Sequence, residues 1–148
     1  MPADLELVRR LAPAEHGLAT VTVARPDGTV HASVVNAGVM PDPVSGDEGV
    51  AFVARGGTRK LDLLRGNGHA TVVFRRGWEW VAVQGAVRLI GPDDPDPGFL
   101  ADGLPKLLRE VFTAAGGTHD DWAEYDRVMA AERRAAVFVR AGRITGNA

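Results

Sequence analysis

The chain has 148 residues, 45% of them hydrophobic and 24% charged, with a formal net charge of −2. That length and composition fit one globular domain and argue against wholesale disorder, while the slight acidity argues against a protein that neutralises nucleic-acid phosphates over a broad surface. With no cysteine and four scattered histidines, His16, His31, His69 and His119, disulfides, thiol nucleophiles and zinc–thiolate centres drop out, and no metal site is expected.

The first residues carry Asp4 and Glu6 rather than a basic stretch followed by an apolar one, and nowhere do about 18 apolar residues run together. The expectation is a soluble, cytoplasmic protein with no membrane partner. Leu5, Val8 and Leu11 recur at helical spacing behind Asp4, a capping residue, and Pro13 closes this helix. Residues 17–24 alternate as a strand, Pro26-Asp27-Gly28 turns the chain, and residues 30–39 complete a hairpin. A proline-rich loop, residues 41–48, precedes a third strand at 49–54 and a short helix at 59–67, which the flexible Gly66-Asn67-Gly68 terminates.

Residues 70–74 form a fourth strand, and residues 78–90 the longest one. There Val81, Val83, Val87 and Leu89 lie on one face, interrupted by Gly85, with Trp80, Gln84 and Arg88 on the other. Leu100, Leu104, Leu107, Leu108 and Val111 repeat at helical spacing. A further helix is expected from Thr118, which with Asp121 makes a capping-box-like start, and residues 135–141 give a sixth strand. Six strands dominated by hairpins, with two helices between the fifth and sixth and no βαβ alternation, predict a mainly β, six-stranded antiparallel barrel with short flanking helices over residues 1–148.

One local conflict stands out. Arg59 and Lys60 occupy the first turn of the helix at 59–67, where unpaired N–H groups already carry partial positive charge and acids are favoured. A phosphate held by free amides and two cations would resolve the conflict. The string Gly56-Gly57-Thr58-Arg59-Lys60 lacks the G-K-[ST] ending of a P-loop, so that motif is excluded.

Several strings in this order resemble the flavin and deazaflavin oxidoreductases that share the split β-barrel of pyridoxamine-phosphate oxidase, above all the actinobacterial branch dependent on coenzyme F420. They are Asp27-Gly28, Thr58-Arg59-Lys60 through Arg65, Gly77-Trp78 through Gln84-Gly85, His119-x-Asp121-Trp122-x-x-Tyr125 with Met129, and Arg133-Arg134. The resemblance implies an FMN-binding type of split barrel, a homodimer with cofactor sites between its subunits, and a hydride-transferring enzyme acting on a small electron-poor molecule. Ser33, Val34, Val35 and Asn36 would then lie along the cofactor ring, Lys60 would bind its phosphate, and Trp78 would approach the ring across the dimer interface. Relatives carry an R-x-K arrangement at the phosphate corner. Here Thr58 holds the arginine position and Arg59 adjoins the lysine, so either could supply the missing contact.

Within that reading, Asn36 needs a polar partner, which ring atoms provide. Gly85 marks a close backbone approach with Gln84 as a possible contact, Trp122, Tyr125 and Met129 are packing residues, and His119 makes local hydrogen bonds. Coenzyme F420 is the favoured cofactor and FMN the alternative. Pyridoxamine-phosphate oxidase activity, or a non-catalytic carrier of deazaflavin, flavin or haem, would use the same barrel.

Overall fold

In the computed structural model, which describes residues 3–147, the elements run α1 (Leu5–Leu11), β1 (Leu18–Ala24), β2 (Val30–Val39), β3 (Gly49–Ala54), α2 (Arg59–Asn67), β4 (His69–Arg76), β5 (Glu79–Ile90), α3 (Leu104–Ala114), α4 (Trp122–Ala131), β6 (Ala135–Arg140) and β7 (Arg143–Gly146). All strand pairs are antiparallel: β1 sits between β2 and β4, β3 joins β2 to β6, and β5 joins β6 to β4. The β4–β5 ladder closes the six-stranded barrel that the sequence predicts. Closure removes most of the exposed edge that an open sheet would leave, although β2 pairs with β3 only over residues 37–39.

Alternation fills the barrel from within. Val21, Val23, Phe52, Val72, Phe74, Val81 and Val83 point inward and are almost wholly buried, while Leu61 and Leu64 of α2 and the apolar face of α1 belong to the same core. A second cluster forms outside β3 and β6, where Ala51, Ala136 and Phe138 meet Leu107, Leu108 and Val111 of α3 and Tyr125 of α4. Strand β3 is therefore covered on both faces. This explains its continuous apolar run.

Two glycines set how closely α3 docks. A Cβ at Gly38 would lie 2.0 Å from the Ala114 carbonyl oxygen, and one at Gly17 would lie 2.3 Å from that of Ala115. Only a bare backbone admits this contact. Gly85 plays the expected part on β5, since its Cβ would meet the Arg140 carbonyl oxygen at 2.0 Å.

Two expectations need correction. Helix α4 does not start at Thr118: Asp121 is the cap, accepting a hydrogen bond from the Glu124 amide at 3.1 Å, and the first helical residue is Trp122. Asp121 and Glu124 have the spacing of a capping box themselves, and this nearer pair wins. The chain also adds a seventh strand, β7, which pairs with residues 81–84 of β5 outside the closed barrel. Among the described residues no helix is long and apolar enough to cross a membrane.

Candidate functional site

Strands β2 and β3 pair only where Ala37, Gly38 and Val39 face Phe52, Ala51 and Val50. Before Ala37, β2 leaves its neighbour, and a cavity of about 390 Å³ opens in the split. That volume lies within the range of small-molecule sites. One bank is Val34, Val35 and Asn36 of β2, and the other is Val53, Ala54 and Arg55 running into Thr58 and Lys60. Helices α3 and α4 add Phe112, Tyr125 and Met129 as an apolar wall, and Arg134 enters from the start of β6.

The β2 bank offers backbone as well as side chains. The Ala37 amide donates to Gly17 O at 2.8 Å, so by antiparallel alternation Ser33 and Val35 bond to β1 while Val34 and Asn36 turn their N–H and C=O groups toward the split. These groups have no partner strand there. A flat heteroaromatic edge carrying donors and acceptors is the kind of surface that satisfies such a row.

At the opposite bank Gly57, with φ of 74°, turns the chain from β3 into α2. Thr58 is the N-cap, yet its hydroxyl donates to Arg55 O at 3.0 Å and makes no capping bond to the first helical amides. Lys60 is half-buried, with its Nζ 5.8 Å from the centroid of the Phe52 ring. Burial, and then the neighbouring positive charge of Arg134, push its pKa below the ordinary lysine value. Among the described residues no acid pairs with Lys60. A desolvated ammonium without a counter-ion, beside uncapped helix amides, is a site that an anion would stabilise.

The sequence-predicted residues divide cleanly. Lys60, Thr58, Val34, Val35 and Asn36 converge on this cavity; Arg59, Ser33, Trp78 and Gln84 do not line it. Arg59 points outward and is exposed. Ser33 occupies an inward-facing position of β2, where its Oγ is buried without a hydrogen-bond partner, as is Nδ1 of His31. Trp78, 93% exposed, stands at the β4–β5 turn, and Gln84 is exposed on β5. The partner expected for Asn36 comes from the chain itself, because its Nδ2 donates to His16 O at 2.8 Å.

Sequence reasoning did not assign the lining residues of β3, α3 and α4 to the site, nor Arg134. Tyr125 and Met129 do pack, Tyr125 against Phe112 with ring centroids 5.1 Å apart, but both also face the cavity. The Tyr125 hydroxyl donates to Leu108 O at 3.0 Å, and burial raises its pKa. Arg134 was visible only as half of an Arg-Arg pair before a strand. Its direction depends on the turn preceding β6, whose fit to Gly56 no periodicity reveals. His119 behaves as expected, its Nδ1 accepting from the Asp121 amide at 3.0 Å.

Another cavity, about 370 Å³, lies between β5, β6 and the loop after β2. There Arg88 contacts Asp42 and Asp96, both at 2.7 Å, so its guanidinium already has two carboxylate partners. Among the described residues there is also no acidic or histidine cluster suited to a metal ion.

Comparison with family sequence models and with curated proteins finds no match. Solved structures share the fold. A pyridoxamine 5'-phosphate oxidase-related, FMN-binding protein from Nostoc punctiforme PCC 73102 superposes with a TM-score of 0.66 at 10% identity, over 95% of this chain and 80% of that one. An F420 reductase superposes with a TM-score of 0.57 at 15% identity, over 86% and 88%. HutZ, the haem storage protein from Vibrio cholerae, gives 0.56 at 8% identity, over 98% and 94%. The chain therefore has the split β-barrel fold of the pyridoxamine-phosphate-oxidase type, as the motif resemblance anticipates.

Proposed function

We propose that this chain binds a phosphorylated flavin-type cofactor in the split between β2 and β3, and that it is an oxidoreductase using coenzyme F420 in preference to FMN. The observation carrying the reading is Lys60: a half-buried cation without an acid, at a helix start, in a cavity walled on its helical side by the apolar Phe112 and Met129. The residues present suit a phosphate joined to a planar ring. Lys60 and the first amides of α2 would hold the phosphate, with Thr58 beside them and Arg59 outside the cavity. The free backbone edge at Val34 and Asn36 meets the ring heteroatoms.

The bound cofactor supplies the hydride chemistry. The chain's own share is positional: the β2 edge fixes the ring plane, Phe112 and Met129 keep water from one face, and the α2 amides neutralise the anion. In a homodimer, the exposed Trp78 of a second copy would approach the ring, as the resemblance implies. The preference for F420 is supported by the motif order around Thr58-Arg59-Lys60 and Gly77-Trp78.

Fluorescence titration with F420, FMN and riboflavin tests the binding site. Equal affinity for riboflavin and FMN, with no binding of F420, would remove the phosphate from the account. Turnover of reduced cofactor against activated alkenes and quinones then tests catalysis. A non-catalytic carrier is the second reading, favoured because the titratable side chains lining the cavity are Arg55, Lys60, Arg134 and a Tyr125 hydroxyl already bonded to Leu108. Tight cofactor binding without turnover across the acceptor panel would select it.

A further inference from the structure

Arg134 shares the cavity with Lys60, although nothing in the reading above gives it a task. Its turn is fixed from several sides. The Gly56 amide donates to Glu132 O at 3.1 Å, and a Cβ at Gly56 would lie 2.5 Å from Arg133 O, so the turn after β3 rests on the turn before β6. The Nε and Nη2 of Arg134 both reach Glu132 Oε1 at 2.9 Å, which orients the guanidinium and leaves Nη1 without a hydrogen bond among the described residues. The side chain is only 28% exposed.

Two like charges are thus held in one cavity, near enough that Arg134 depresses the pKa of Lys60. The surrounding groups cancel only part of this charge. Glu132 offsets that of Arg134, but Arg55 adds another positive charge to the wall, Tyr125 is neutral, and Arg59 is exposed outside. Lys60, Arg55, Arg134 and Glu132 together leave two net positive charges, which a ligand with more than one negative charge stabilises.

We propose that Arg134 is a second anion-binding residue of this cavity, and that the site takes a ligand carrying two negative charges at its phosphate end. This rests on the cofactor reading above. Two chemistries meet the requirement: a phosphate monoester, which is a dianion above a second pKa of about 6, or a phosphodiester continuing into a carboxylate-bearing tail. FMN represents the first and F420 the second.

The experiment is fluorescence titration of FMN, F420 and riboflavin at about pH 7.5 and about pH 5, on the unaltered protein and on Lys60→Gln, Arg134→Gln and Arg134→Lys, with melting curves as a folding control. Unaltered protein should bind FMN about tenfold less tightly at the lower pH, with riboflavin unchanged, because the phosphate loses its second charge. Arg134→Gln should weaken FMN at the higher pH by about tenfold or more and flatten that pH dependence. F420 should weaken at both pH values, since its carboxylates stay ionised, and Arg134→Lys should recover part of each loss.

If Lys60→Gln loses phosphate preference while Arg134→Gln keeps it, Arg134 has no such role and the cofactor reading stands. An FMN-to-riboflavin affinity ratio that does not change with pH in the unaltered protein overturns selection for the dianion, whatever the variants' folding. If unaltered protein neither prefers FMN to riboflavin nor binds F420, the cofactor reading fails and this inference falls with it.

Discussion

Lys60→Met separates the charge of this residue from its bulk. Methionine keeps an unbranched apolar stem against Phe52 and removes the ammonium. If that ammonium makes a charge-assisted hydrogen bond to phosphate, its loss weakens cofactor binding by about 1.5–3 kcal/mol, or roughly 10- to 150-fold in Kd. Stability should move differently. Burial and then Arg134 lower the pKa of Lys60 from its usual 10.5, so the folded chain holds this proton less tightly than the unfolded one does. The charged form therefore opposes folding at neutral pH, and that penalty fades as pH rises from the lowered value toward 10.5. A cation–π contact with Phe52, about 0.5–1 kcal/mol, offsets part of it. The ligand-free variant should melt at the same temperature or higher, with the advantage shrinking at alkaline pH. Calorimetry on the free protein and fluorescence titration with FMN and F420 read the two effects. A melting temperature several degrees lower together with an unchanged Kd would show that Lys60 serves the fold and not a ligand.

Three further substitutions probe the frame of the site. Thr58→Asp supplies the side-chain cap that α2 lacks and should stabilise the protein by about 1 kcal/mol, while its carboxylate at the rim weakens anion binding; parallel loss of both would contradict the corner geometry. Gly38→Ala places a methyl group 2.0 Å from Ala114 O, a backbone clash that no rotamer relieves, and should cost about 3 kcal/mol or more in urea unfolding; a loss below about 1 kcal/mol would mean that the end of α3 yields. Asp121→Ala should lose about 1 kcal/mol and Thr118→Ala less than about 0.5 kcal/mol, and the reverse order would restore Thr118 as the cap.

What the sequence discloses here follows the range of the forces involved. Alternation in residues 18–24 and 79–90 reports burial on the two faces of a strand, and the glycines at 28 and 68 report left-handed turns, so β1, β2, β5 and the end of α2 are legible from local pattern. Strand β7 is not. In Arg143–Gly146 only Ile144 is apolar, and the strand exists because β5 offers a free side at Val81 to Gln84. The site shows the same division. Lys60 betrays itself by a charge at odds with its own helix, a conflict within a few residues. Arg134 is brought beside it by contact of the 132–134 turn with Gly56, across about half the chain, and no local signal carries that. Asn36 misled for the converse reason: its need for a partner was legible, but the partner, His16 O, lies 20 positions away.

The seating of α3 on Gly17 and Gly38 has a consequence for the lineage of this molecule. Because main chain rests directly on main chain there, the gap between the helical wall and the β2 bank is gauged by the backbone and not by any side chain that faces it. Exchanges at Val34, Phe112 or Met129 can then alter the polarity and depth of the slot without changing its gauge, which lets one scaffold be refitted for new guests while the distance between its jaws stays constant.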